Sequence, residues 1–356
     1  MQYFLTTILN RGKWPIFFII MTKSNIFECR YIVYNTHEKK NKRKRGDLAM
    51  AERTRGLARS RKIRNTVSGW GFIAPLFLFF LVFTAIPVLV TLGYLCFTKY
   101  NIMTNPSWIG LDNFRRMLKD PSIPQVAWNV LRLPLYLVPA HVIFSLLMAY
   151  GVYRIPNKFF KGICRTVIYF PAITTTASVA IAWGYIFNKD FGLLNWTLRT
   201  LGLISQDIPW TTSSRYAMPA IVIFSIWKFT GLHFIYYLIG LENVSTGYYE
   251  AARMDGANEW QIFTRVTIPL ITPSIFYVFL TTLIGTMQAF DEPFFVTGGG
   301  PGDSTRTVAL FIYEKAFQSY DMGYASAVAA LLFIVIFAMT AFQMKVQNRW
   351  VVYDCE

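Results

Sequence analysis

The sequence predicts an all-α, polytopic membrane protein: six transmembrane helices, with a bent cytoplasmic helical loop between spans four and five. Three observations carry this. Of 356 residues, 54% are hydrophobic and 15% charged, too apolar for one soluble domain to bury, so lipid must cover part of the surface. Six stretches reach the roughly 20 mostly apolar residues that the hydrocarbon core requires. No sustained alternation of apolar and polar residues suggests a β-barrel.

The first span is the uncharged run 67–98, followed by 133–153, 166–188, 216–241, 266–290 and 322–344. Pro75, Pro87, Pro139 and Pro171 interrupt them, which is tolerated where neighbouring helices re-satisfy the freed carbonyls. Lysine and arginine resist translocation, so the loops that hold them orient the chain. Arg154, Lys158, Lys161 and Arg165 lie between spans two and three without an acid, and Lys345 and Arg349 follow span six; this loop and the C-terminal end belong inside, with the basic N-terminus. The outer loops are then 99–132, 189–215 and 291–321, with Trp108, Trp128, Trp196 and Trp210 near the interfaces. Arg115, Arg116 and Lys119 run against the rule, which weakens in longer loops.

Charge is concentrated at the start. Residues 1–64 hold sixteen Lys or Arg against four acids, so this basic cytoplasmic tail supplies +12 of the formal +16. Its run Lys39, Lys40, Lys42, Arg43, Lys44, Arg45 has no nucleic-acid-binding module around it, and no nucleic-acid partner is expected. Residues 1–49 lack the texture of the rest, whereas Met50 opens a short basic lead to the first span; native translation is expected to start there, the alternative being a disordered basic tail. The apolar patch 14–21 is too short to span and precedes no cleavage site. Cys29, Cys96, Cys164 and Cys355 are scattered and form no CxxC, so neither a metal site nor a disulfide framework is implied.

The loop 245–272 is the most informative stretch. Ser245 or Thr246 can cap a helix whose first turn is expected to hold Glu250, where a carboxylate suits the positive end of the dipole. Ala251 and Ala252 keep one face low enough to enter a groove, Gly256 permits a sharp turn, and Asp255 either docks or caps the bend. Trp260, Phe263 and Val266 restart an apolar stripe ahead of Pro269 and Pro273. The result is helix, bend, helix, shaped for helix-in-groove docking.

Glu250-Ala251-Ala252, Gly256 and Ile268-Pro269-Leu270 resemble the EAA signature of binding-protein-dependent ABC importer permeases, a MetI-like fold. The form Glu-Ala-Ala-x-x-Asp-Gly-Ala, with Trp260 and Phe263 behind it, is similar to the carbohydrate branch of maltose-type and glycerol-phosphate-type permeases. Gly110-Leu111-Asp112-Asn113-Phe114, Gly192-Leu193-Leu194-Asn195, Pro209-Trp210 and Thr297-Gly298-Gly299-Gly300-Pro301 agree, the last resembling the first member of the permease pair. The resemblance covers nearly everything from Trp70 onward. It implies that 65–349 is the permease domain, that 245–272 is its coupling loop, and that Glu250, Ala251, Ala252, Asp255 and Gly256 dock on an ATPase. It further implies a bacterial plasma-membrane protein with both termini cytoplasmic, the short tail 350–356 included. The implied partners are the lipid bilayer, a second homologous permease, two ATP-binding-cassette ATPase subunits and an extracellular solute-binding protein. The chain itself is expected to bind no cofactor or metal and to have no catalytic residue, ATP being used by the partner.

Within the spans, Lys228 is a pathway candidate, weighed equally against a packed lysine bonded to backbone carbonyls or one nearer the surface than the span limits suggest. Thr175, with Thr174, Thr176 and Gln288, can line a polar route or join helices by hydrogen bonds. His141 and His233 read as single core histidines, and Gly298 to Gly302 as a flexible outer turn, since no Lys-Ser or Lys-Thr follows. The competing class is an ion-gradient-driven secondary transporter, for which Asp291 and Glu292 are the only acids near enough and no repeat is visible. A membrane-embedded enzyme has no HExxH, nucleophile elbow or GxxxxGK[ST] to support it.

Overall fold

The computed structural model of the protein describes residues 68–352. The expected start at Met50, the whole basic tail 1–64, the patch 14–21, Cys29, Cys355 and the end of the segment 350–356 lie outside the described residues. The chain divides into a unit ending at Pro75, helical from residue 68, and a larger unit, Leu76–Glu356, that holds the bundle.

In chain order the described elements begin with α1 (Ser68–Phe97), then a two-stranded ribbon, β1 (Thr98–Lys99) and β2 (Ser107–Trp108), and α2 (Asp112–Lys119). There follow α3 (Ile123–Tyr153), α4 (Lys158–Ile173), α5 (Thr176–Ile186), α6 (Leu193–Thr200) and α7 (Ala217–Asn243). The last five are α8 (Thr246–Met254), α9 (Glu259–Leu270), α10 (Thr272–Met287), α11 (Val308–Tyr313) and α12 (Met322–Gln347). Helices α1, α3, α7 and α12 are each long and apolar enough to cross a membrane, and the count reaches six if each bent pair, α4 with α5 and α9 with α10, is one span.

Two expected spans differ from a plain helix. Span three is broken: α4 and α5 meet at 97°, because Thr174 and Thr175 are extended. Pro171 denies its turn one N–H and so weakens the helix just ahead of the break. Span five is α10, which meets α9 at 67°. Span two is longer than hydropathy suggests, because α3 starts at Ile123, ten residues before 133. Val126 and Val130 bury the added turns, and Asn129, fully buried, is among them.

Helix α7 is the central post, packed on α3, α4 and α10, with Phe224, Phe234, Tyr237 and Leu241 fully buried. Contact with α4 is close enough that a Cβ on Gly231 would lie 2.3 Å from the Ile168 carbonyl oxygen. Only a hydrogen side chain fits there.

On the side opposite the α8–α9 loop, the segment after α1 is clasped to the start of α12. Asn113 Nδ2 donates to the Cys96 and Thr98 carbonyls at 3.1 and 2.8 Å, and Arg116 pairs with Asp321 at 2.7 Å. Asp120 accepts from the Ser122 N–H and the Tyr324 hydroxyl, both at 2.9 Å. Partial burial of Asp120 pushes its carboxyl upward, but these hydrogen bonds and the Lys315 charge outweigh it and hold the group below the usual carboxylate range. A carboxyl whose pKa is depressed on folding stabilises the fold above its unfolded value, about 3.9, and loses that contribution as pH falls through the folded value. Asp120→Asn should therefore lower the thermal midpoint at pH 7, and its gap from wild type should narrow below about pH 4. A gap of constant size across that range would exclude the ionised clasp.

The glycine-rich turn is not the loose connection expected. Gly298, Gly299 and Gly302 take positive φ, and Thr305 is fully buried, its hydroxyl donating to the Gly300 carbonyl at 3.0 Å. Asn129 Nδ2 donates to the Asp303 and Arg306 carbonyls at 2.7 and 2.9 Å. The turn is thus anchored by the upper part of α3, the same turns that hydropathy leaves out of span two.

Candidate functional site

The loop between α7 and α10 builds its bend from local hydrogen bonds. Helix α8 ends in a Schellman motif: the Gly256 N–H donates to the Arg253 carbonyl and the Ala257 N–H to the Ala252 carbonyl, both at 3.0 Å. Gly256 supplies the required left-handed backbone, φ +77°. One residue beyond Ala257 the next helix starts with a capping box, in which Gln261 N–H donates to Asn258 Oδ1 at 2.9 Å and Asn258 N–H to Gln261 Oε1 at 2.8 Å. Stop and start signals are back to back, so the angle between α8 and α9 is set within four residues, 255–258.

This geometry sorts the predicted docking residues. Glu250, Ala251, Asp255 and Gly256 are exposed and Ala252 is half-buried, while Tyr249 turns inward. Met254, 88% exposed, extends the presented surface. Two expectations need correction. Ser245 occupies the N-cap position without a side-chain bond, and Glu250 lies in the second turn, because the helix begins already at Thr246. The carboxylate is therefore one turn from the positive helix end and points to solvent. Asp255 is the C-cap, its N–H bonded to the Ala251 carbonyl at 3.0 Å, and its side chain is left exposed.

The loop is braced against the bundle. Phe263 is buried with its ring 4.4 Å from that of Tyr150 on α3. Glu259 pairs with Arg154 at 2.9 Å and lies 3.9 Å from Arg253. These ion pairs are about half exposed, worth roughly 0–1 kcal/mol each, so the Phe263 contact dominates the attachment. Beyond α12 the chain returns to the root of α10: Trp350 packs on Phe276 at 5.8 Å, and the Val352 N–H donates to Thr272 Oγ1 at 2.9 Å.

Of the residues proposed for a polar route, Lys228 bonds to the break in span three and Thr175 lies within that break, with no hydrogen bond between the two among the described residues. Lys228 is 1% exposed, and its Nζ donates to the Pro171 carbonyl at 2.7 Å, to the Thr174 carbonyl, and to Thr174 Oγ1 at 3.2 Å. An ammonium at mid-span costs about 2.5–3.5 kcal/mol on insertion scales, and charged hydrogen bonds contribute about 1.5–3 kcal/mol each, so the three bonds offset it. These are the bonds that the carbonyl-bonded alternative describes. Thr175 is exposed at the N-cap of α5, its hydroxyl bonded to Ser178 Oγ at 2.9 Å. Gln288, the C-cap of α10, is also exposed, and no hydrogen bond among the described residues joins it to Thr175 or Lys228.

His141 and His233 are not isolated. Their ring centroids are 4.7 Å apart, and His233 Nε2 lies 3.1 Å from Thr282 Oγ1, which joins α3, α7 and α10 at one buried point. They stand 92 residues apart in sequence, so no local signal could have paired them. Among the described residues no group of three or more His, Cys, Asp or Glu gathers in a metal-holding arrangement.

Residues 141–353 match the family model described as "Binding-protein-dependent transport system inner membrane component". The chain belongs to this family. It is thus the multi-pass, non-catalytic permease component of a transporter that works with a binding protein. The permease is 36% identical over 304 residues to the probable ABC transporter permease protein YesP of Bacillus subtilis, covering 84% of this chain and 96% of that protein. To the lactose transport system permease protein LacF of Rhizobium radiobacter it is 32% identical over 280 residues, covering 78% and 93%. Its fold matches a chain in the crystal structure of a bacterial alginate ABC transporter in complex with alginate pentasaccharide-bound periplasmic protein, with a TM-score of 0.71 at 22% identity, over 83% of the permease and 99% of that chain.

Proposed function

We propose that this permease forms one half of the translocation path of an ATP-driven bacterial importer for sugars or related small polar solutes. A second, homologous permease supplies the other half, two ATP-binding-cassette subunits sit at the cytoplasmic face, and an extracellular binding protein delivers the solute. Both chain termini are cytoplasmic. The chain binds no cofactor; ATP is consumed by its partners.

The observation that carries the reading is the α8–α9 loop, whose Glu250, Ala251, Met254 and Asp255 are turned away from the bundle on a backbone held rigid by caps at both sides of the bend. A small-faced, exposed helix of this kind suits a groove on a moving partner. Closure of the ATPases on ATP would push it, and because α8 follows α7 after only two residues, the push reaches the central post directly. Coupling then requires that the docked loop favour different permease conformations before and after closure. The sugar assignment is supported by the lactose permease and the alginate transporter among its relatives in sequence and fold.

Ala251→Cys, placed in the complete transporter and treated with a short bifunctional crosslinker, is expected to join the ATPase subunit from the cytoplasmic side. Labelling of that cysteine only from outside the cell would end the reading. The solute class is tested separately, by titrating sugars into the cognate binding protein.

A further inference from the structure

We propose that Lys228 is a positioning residue for transport: it pins the break of span three to span four, so that motion entering α7 turns α4 and α5 together. The proposal rests on the coupling reading above but concerns a different part of the molecule.

A helix leaves its last four carbonyls without intrahelical partners. In α4 these belong to Phe170, Pro171, Ala172 and Ile173; the extended Thr174 and Thr175 that follow supply no N–H in a helical pattern, although the Thr174 hydroxyl reaches back to the Pro171 carbonyl at 2.7 Å and leaves that oxygen a second lone pair. Buried carbonyls must be paired, and the end of a helix carries partial negative charge. Lys228 answers both demands from another span, with one ammonium on the Pro171 carbonyl and on both oxygens of Thr174. The 97° turn between α4 and α5 is thus fastened to α7 by a cation.

The fastening belongs to a seam. Three residues along α7, Gly231 meets the Ile168 carbonyl oxygen, and near its end Glu242 holds Arg165 and, at 3.5 Å, Lys161. Positions 228, 231 and 242 fall on one helical face. Gly231 and Glu242 attach only α4; Lys228 acts at the junction itself, with α5 one residue beyond the extended pair. Helix α5 in turn packs on the turn Pro293–Thr297 after α10. A rotation of α7 begun at α8 would therefore travel through the pinned break to that turn. With the pin removed, α4 still follows α7 through Gly231 and Glu242, while α5 keeps its Trp183 ring contacts with Phe224 and Trp227 but loses the polar bonds that fix the angle at the break, so α5 follows less tightly.

The test uses the complete reconstituted transporter in a cysteine-free background, with spin labels at Val167→Cys and Ile181→Cys, both exposed and on opposite sides of the break. The unaltered Lys228 is expected to give one narrow distance distribution that shifts on ATP binding. Lys228→Met should broaden it and lower the maximal uptake rate tenfold or more, with little change in the half-saturating concentration of loaded binding protein and with ATP hydrolysis continuing. Lys228→Arg, which keeps a multi-donor cation, should narrow the distribution again. If the Met variant does not accumulate, Lys228→Gln is measured by the same criterion. A narrow, ATP-responsive distribution in the Met or Gln variant overturns the pin alone. A distance in the unaltered protein that ATP never moves overturns the coupling reading beneath it.

Discussion

Gly256→Val is expected to cut solute-stimulated ATP hydrolysis and uptake to less than about a tenth of wild type, while the protein still inserts and assembles. The backbone at Gly256 sits at φ +77°, a conformation that an L-residue occupies at a cost of about 1–2 kcal/mol, and a β-branched side chain is among the least tolerant of it. Relief comes by rotating out of the left-handed region, which breaks the two Schellman bonds and swings α8 relative to α9. The substitution meets no steric obstacle, since no atom lies within 4 Å of where a Cβ would stand, so the effect should fall on direction and not on packing. Membrane insertion, measured by expression and gel filtration, is expected to be near normal. Transport at wild-type rates in reconstituted vesicles would show that the bend does not transmit force.

Gly231→Leu is the second large effect, and it should act on stability. A Cβ there would lie 2.3 Å from a backbone oxygen, which cannot move without shifting α4 as a whole. Overpacking of a tight interface costs about 1–3 kcal/mol, more where the obstacle is backbone. Since Lys228 lies one turn away on the same face, the displacement also stretches its bonds to Thr174. We expect the thermal midpoint in detergent to fall by about 5 °C or more, with Gly231→Ala intermediate. A midpoint within about 1 °C of wild type would mean that α4 and α7 do not meet this closely.

How much of this was legible beforehand follows from the range of each interaction. Hydropathy is a local sum, so it located all six apolar stretches, and the bend in the loop 245–272 was readable because Gly256 marks the turn and Trp260, Phe263 and Val266 mark the restart; the Asn258–Gln261 capping box that fixes that restart was not singled out. The break at Thr174 was not readable. A proline in a membrane helix is compatible with a straight span, and the donor that stabilises the broken form, Lys228, comes from 54 residues further along. The pairing of His141 with His233, the tight seat of Gly231 and the anchoring of the glycine turn by Asn129 are likewise tertiary facts. The start of α3 at Ile123 was missed for another reason: its first turns carry Asn129 and Arg132, which dilute the hydropathy, and they are helical because they pack on protein.

The capping hydrogen bonds at the α8–α9 bend each span no more than five residues, from Ala252 to Ala257 and from Asn258 to Gln261. Such a segment is a portable cassette. Transplanted into another permease it would keep its contour, so exchange of residues 245–262 between transporters should separate what the backbone dictates from what the outward side chains select, and the choice of motor would follow Glu250, Ala251, Met254 and Asp255 into the new host.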